Sequence, residues 1–144
     1  MSRDSRLTWL LDDLADRTRA DLAILFTADG LLRDRSTGTD PLSAEQISAR
    51  CAGICGGAKS MASVPALGGA RFEQALIGMD GRVCYMCPAG DQTYVAVVVD
   101  RGVDLGMLTF EVQRVVDKVG EHLGTQVRRR VFSDTSPGRG VIGE

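Results

Sequence analysis

The chain has 144 residues, 44% of them hydrophobic, which is enough for one well-filled core and too little for two domains of ordinary size. A formal charge of −2, with no Lys/Arg stripe interleaved with aromatics, excludes the electrostatic footprint of a nucleic-acid binder. No apolar run approaches the roughly 20 residues that span a bilayer, and cysteines without an export signal are expected to stay reduced, so the expected location is cytoplasmic.

Leu7, Leu10, Leu11, Leu14, Ala15 and Thr18 recur at helical spacing and predict a first amphipathic helix, begun by Asp4 or Ser5, with Asp12, Asp13 and Asp16 turned outward as a solvated face. Trp9 falls off that stripe. Leu22 to Thr27 reads as a buried strand, and Asp29-Gly30 as a hairpin turn into the polar segment Leu31 to Arg35, whose charges suit an edge strand. A loop from Ser36 to Pro41 follows.

The middle helix is predicted over Ser43 to Ala62. Ser43 and Gln46 have the spacing of a capping box, and Ile47, Cys51, Ile54, Cys55, Ala58, Met61 and Ala62 form the expected core stripe. Gly53, Gly56 and Gly57 lie inside this helix, where each costs about 1 kcal/mol relative to alanine, so close packing is expected to offset roughly 3 kcal/mol. The face opposite the core offers Ala49, Ala52, Gly53, Gly56, Ser60 and Ser63, with charge confined to Glu45, Arg50 and Lys59. Small side chains let another backbone approach closely. Two readings follow from that face: contact with another molecule, or a helix wedged beneath a loop of its own chain.

Pro65 to Ala70 ends the helix. Three strands are then predicted as a meander: Phe72 to Met79, the Asp80-Gly81 turn, Arg82 to Cys87, a turn over Pro88 to Asp91, and Gln92 to Val99. The last strand is apolar on both faces, which predicts a central position covered by helices on each side. Leu108, Val112, Val115, Val116, Val119, Leu123 and Val127 mark the final helix, with Phe110 off its stripe and Arg128-Arg129-Arg130 where positive charge complements a helix C-terminus. Residues 1–132 are expected to form a single domain, and 133–144, rich in Ser, Pro and Gly, a disordered tail. The order is α-β-β-α-β-β-β-α, an α+β fold: a five-stranded antiparallel sheet with the two terminal helices on one face and the middle helix on the other.

No active site assembles from this pattern. Cys84 and Cys87 match a CxxC spacing, but in a strand they point to opposite faces, and Cys51 and Cys55 lie on a core stripe; all four read as small buried hydrophobes. His122 is the only histidine, and no glycine-rich loop joins a strand to a helix start as phosphate binding requires. Neither catalytic residue, cofactor nor metal ligand is expected. Trp9 and Phe110 admit two roles, packing on a neighbouring helix or anchoring a partner.

The run Gln92 to Val112, containing Tyr94-Val95-Ala96-Val97-Val98-Val99-Asp100-Arg101-Gly102-Val103-Asp104, resembles the final strand, loop and helix start of the Roadblock/dynein light chain family. Leu22 to Leu32 with its Asp29-Gly30 turn and Arg82 to Gly90 fit the same pattern, and the likeness extends over Leu7 to Arg130. Within the family the chain looks most like bacterial members of the MglB type, particularly actinobacterial conservon proteins encoded beside a sensor kinase and a Ras-like GTPase. The resemblance implies a profilin-like Roadblock fold and a homodimer whose Phe72 to Met79 strands pair across a two-fold axis with the middle helices side by side. The implied interface contains Ala49, Gly53, Gly56, Gly57, Ser60, Phe72, Gln74 and Leu76. It also implies a non-catalytic regulator or adaptor of a Ras-like small GTPase, without an arginine finger. Trp9, Arg50, Arg71 and Phe110 are the expected partner contacts. The alternative is a scaffold in a membrane-associated sensor kinase or motor complex. Either way, membrane recruitment would come through partners, not by direct insertion.

Overall fold

The computed structural model describes residues 7–134, with side chains described through His122. Asp4, Ser5, the side chains of Leu123, Val127 and the arginine cluster, and residues 135–144 lie outside the described part. Three helices and five strands follow the expected order: α1 (Thr8–Thr18), β1 (Leu22–Thr27), β2 (Leu32–Arg35), α2 (Pro41–Ala62), β3 (Ala75–Met79), β4 (Arg82–Gly90), β5 (Thr93–Asp100) and α3 (Leu105–Asp134). The α3 helix therefore runs through Ser133 and Asp134, which composition alone assigns to the tail.

The sheet is antiparallel with strand order β2-β1-β5-β4-β3. The last strand to emerge from the chain sits in the middle, and every residue from Thr93 to Val99 is buried, as its two-sided apolar character requires. Alternation along the strands divides the interior in two. Leu25, Tyr85, Cys87, Val95, Val97 and Val99 meet Leu10, Leu11 and Leu14 of α1 and Leu108, Val112 and Val115 of α3. Ile24, Phe26, Cys84, Met86, Tyr94, Ala96 and Val98 meet α2 on the opposite face. Cys84 and Cys87 thus lie on opposite sides of the sheet.

On α1, Asp12 and Asp13 are not a free solvated face. Asp12 accepts from the Thr37 backbone N–H at 2.6 Å and from its hydroxyl at 2.7 Å, fastening the helix to the loop after β2. Asp13 accepts from Arg17 at 3.0 Å and from Arg114 of α3 at 3.2 Å. Two of the three carboxylates therefore tie α1 to its neighbours.

The start of α2 differs from the capping box expected at Ser43 and Gln46. Asp40 is the N-cap and accepts from the Ser43 backbone N–H at 2.9 Å, while Pro41 opens the helix. Proline suits that position because its fixed φ is already helical and an N–H there would lack an intrahelical partner. Ser43 lies inside the first turn and also donates its hydroxyl to Asp40.

The phase of α2 also departs from expectation. Its buried residues are Ala44, Ser48, Cys51, Ala52 and Cys55, whereas Ile54 and Met61 face outward with 38% and 63% of their surface exposed. Ala52, assigned to the outer face from sequence, belongs to the core. A seam of small residues seats the helix on the sheet, so the larger Ile54 and Met61 are not what holds it.

Strand boundaries shift as well. Pairing between β3 and β4 ends at Ala75 opposite Met86, so Phe72 and Gln74 precede the strand. Extended by two residues, the same register would set Glu73 against Pro88, which has no N–H to donate. Pro88 itself lies within β4, and the turn into β5 is Asp91-Gln92 with Gln92 at φ 56°. A register shift between Pro88 and Gly90 marks a bulge there.

Ser48 is fully buried, and its hydroxyl has no hydrogen-bond partner among the described residues. An unsatisfied buried hydroxyl costs about 1–3 kcal/mol, so Ser48→Ala should raise the unfolding free energy by about 1 kcal/mol in urea titration. An unchanged or lower stability would show that the hydroxyl finds a partner.

Candidate functional site

Edge strands need protection from pairing with other chains, and this sheet treats its two edges differently. The outer strand β2 is four residues long and reads Leu-Arg-Asp-Arg. At the other edge β3 reads Ala-Leu-Ile-Gly-Met, with no charge and no proline, and its outer side has no strand partner among the described residues. Leu76 and Met79 on it are 42% and 46% exposed.

The helix on this side of the sheet leaves that edge open. α2 approaches β1 and β2 most closely, β4 less, and β3 least. Gly53, Gly56 and Gly57 are exposed, and a Cβ placed on any of them would meet nothing within 4 Å. The wedged reading therefore fails at these positions, because no segment of the described chain covers them. Their expected close contact is absent inside the molecule.

The sequence-derived residues fall into separate places. Gly53, Gly56, Gly57 and Ser60 share the outer surface of α2 with Ile54 and Met61. Ala49 is exposed too, but it neighbours its own chain: a Cβ on Gly30, in the β1–β2 turn at φ +90°, would sit 3.4 Å from the Ala49 Cα. Phe72 packs partly into the core beneath α2. Gln74 accepts from the Tyr85 hydroxyl at 2.7 Å, which holds the segment before β3 against β4. Leu76 pairs with Tyr85 and so lies on the α1/α3 side of the sheet, away from the glycines.

Trp9 and Phe110 project from α1 and α3, 61% and 63% exposed. Packing on a neighbouring helix is thus not their role. They lie on the opposite side of the sheet from α2, so the expected partner contacts do not form one patch with Arg50 and Arg71. Arg50 is exposed and donates to the Gln46 carbonyl of its own helix at 3.1 Å.

Sequence reasoning missed Ile54, Met61, Val64, Leu67 and Met79 as exposed apolar groups around α2 and β3. The available signal was the run Ala44, Ser48, Cys51, Ala52 and Cys55, an alternative stripe at helical spacing made of smaller residues.

The cysteines supply no open reactive site. All four are buried free thiols. Burial pushes Cys55 up to about 11 and Cys87 up to about 12, and a hydrogen bond to Cys51 together with burial pushes Cys84 up as well. Among the described residues no group of three His, Cys, Asp or Glu side chains is arranged to hold a metal ion. No helix among them is long and apolar enough to cross a membrane.

The molecule is thus a single antiparallel sheet covered by one helix on one face and two on the other, with an uncharged edge at β3 and exposed glycines on α2. The Roadblock/LC7 domain model matches residues 7–99, and the chain belongs to that family. The Roadblock/LC7 domain from Streptomyces avermitilis is similar at 29% identity and TM-score 0.77, over 83% of this chain and 98% of that one. Myxococcus xanthus MglB shares the fold at 16% identity and TM-score 0.77, covering 87% of this chain and 92% of its own. The gliding protein MglB of Thermus thermophilus does so at 19% identity and TM-score 0.71, covering 85% and 94%. No curated protein matches the sequence significantly.

A thiol ionises near about 8.5 when unfolded. With Cys55 near 11 and Cys87 near 12 in the fold, the stability their burial contributes is complete below about pH 8.5 and is lost as pH rises through 11 to 12. Urea titrations at about pH 8 and about pH 10 should show lower stability at the higher pH, and native thiols should react slowly with an aromatic disulfide reagent. Rapid reaction of all thiols in the native protein would contradict this.

Proposed function

We propose that two copies of this chain associate through the β3 edges and the outer surface of α2, and that the dimer is a non-catalytic regulator or adaptor of a bacterial Ras-like small GTPase. The observation that carries the pairing is the contrast between the charged edge at β2 and the uncharged, unpaired edge at β3. A two-fold axis beside β3 joins identical strands in antiparallel register and extends the sheet across both copies. The same axis brings the α2 helices alongside each other, where Gly53, Gly56, Gly57 and Ser60 permit close backbone approach and Ile54 and Met61 lose exposed area.

Family membership and likeness to MglB support the GTPase reading. The dimer acts on the GTPase by repositioning that protein's own residues, with no arginine finger from this chain. Trp9 and Phe110, exposed on the α1/α3 side, remain available after the α2 side is occupied, and Trp is enriched among residues that dominate binding energy.

Replacing Gly56 with Leu should weaken the dimer by at least about tenfold, about 1.4 kcal/mol, with the far-UV circular dichroism of the monomer retained. Light scattering across a dilution series reads this, and an unchanged dimer would remove α2 from the interface. For the partner, a purified Ras-like GTPase loaded with GDP or with a non-hydrolysable GTP analogue should bind in one nucleotide state more tightly than the other. Equal binding in both states would make the chain a scaffold, as in a sensor kinase or motor complex, and would reject the regulatory reading.

A further inference from the structure

A cavity of about 480 Å³ opens between the C-terminal half of α2, the segment before β3 and the β4–β5 turn. It exists because β3 stops short. Beyond Met86, β4 has no β3 partner, and residues 70–72 line the cavity together with Pro88 and Gly90. The volume is in the range of small-molecule sites.

Its lining combines two cations with two rings. Lys59 lies 5.9 Å from the centroid of the Tyr94 ring, within cation–π range, and Arg71 stands on the same rim. Neither forms an ion pair among the described residues. Tyr94 is itself stacked on Phe26 at 5.5 Å, so the floor is held by the core, and Phe72 supplies a second ring at the wall. Asp91 is the only carboxylate of the lining, which leaves an excess of positive charge.

Tyr94 is 4% exposed as a residue and lines the cavity, so its ring is fixed by the core while the site has access to it. The residues lining the cavity thus offer an ammonium and a guanidinium, neither in an ion pair among the described residues, and a phenol hydroxyl, beside aromatic faces. A free inorganic anion would use only the charges, whereas an anion attached to a ring would use the faces as well.

We propose that this cavity binds a small molecule in which a planar ring carries a phosphate or carboxylate. The acid group sits between Lys59 and Arg71, with the Tyr94 hydroxyl donating to it, and the ring lies against Phe72 and Pro88. The proposal does not rest on the pairing or GTPase readings, although Phe72 and Arg71 also stand among the expected interface and partner residues.

Calorimetric titration of the full chain with phenyl phosphate, benzoate and inorganic phosphate tests this. Phenyl phosphate should saturate one site per chain, at least about tenfold more tightly than inorganic phosphate. Lys59→Gln and Arg71→Gln should each weaken binding by about tenfold, and Tyr94→Phe severalfold. Asp91→Asn should tighten it, a direction that structural damage would not produce. All four positions allow the fold to be checked by circular dichroism before titration. Absence of saturable binding by both phenyl phosphate and benzoate would overturn the proposal, as would equal affinities in wild type, Lys59→Gln and Arg71→Gln. A competing acidic peptide that binds where the small anions do not would reassign the cavity to a protein partner. A change in particle mass on adding phenyl phosphate, without one-per-chain saturation, would reassign it to contact between copies.

Discussion

Burial of β5 on both faces is the constraint from which the rest of the structure follows. Seven consecutive residues, Thr93 to Val99, are withdrawn from water, which a sheet achieves only when strands flank the segment and helices cover both sides. β1 and β4 supply the flanks, and α1 with α3 on one face and α2 on the other supply the covers. Alternation does the sorting: Val95, Val97 and Val99 turn to the helix pair, and Tyr94, Ala96 and Val98 turn to the single helix. The strand made last in the chain thereby organises elements made before and after it.

The two covers are built differently. α1 and α3 present leucine and valine and are joined by carboxylate and guanidinium groups at their boundary. α2 presents alanine, serine and cysteine, so the helix settles on the sheet through small groups and turns glycine, isoleucine and methionine outward. Glycine in an exposed helix interior weakens the helix and contributes nothing to packing within the chain. An exposed seam of that composition, beside an uncharged edge strand, gives this side of the molecule the properties of an unfinished interior. That is the physical basis for reading it as a contact surface.

Pro88 shapes the same side. Because it cannot donate, β3 ends early, and the space that a longer strand would fill becomes the cavity lined by Lys59, Arg71 and Tyr94. One residue thus links the length of an edge strand to the presence of a concave, positively charged site. The bulge and the positive φ of Gln92 then bring the turn back over the end of β5.

The sequence by itself determined the element order, the central place of β5, the polar edge at β2, the burial of the cysteines and the opposed directions of Cys84 and Cys87, since period-two and helical spacing are local and strong in those segments. It also carried the family resemblance, and it singled out the glycines of α2. Tertiary structure decided which stripe of α2 meets the sheet, because hydrophobicity favours Ile54 and Met61 whereas fit to the sheet selects Ala44, Ser48 and Ala52 beside the two cysteines that both stripes share. It decided that Asp12 and Asp13 are tethers, since their partners at Thr37 and Arg114 lie far along the chain. The cap at Asp40 and the early end of β3 depend on backbone geometry and register, and the cavity is assembled from three separate segments. The Asp40 cap is local and rests on backbone geometry between Asp40 and Ser43, whereas the tethers and the cavity depend on which distant atoms the fold brings within reach.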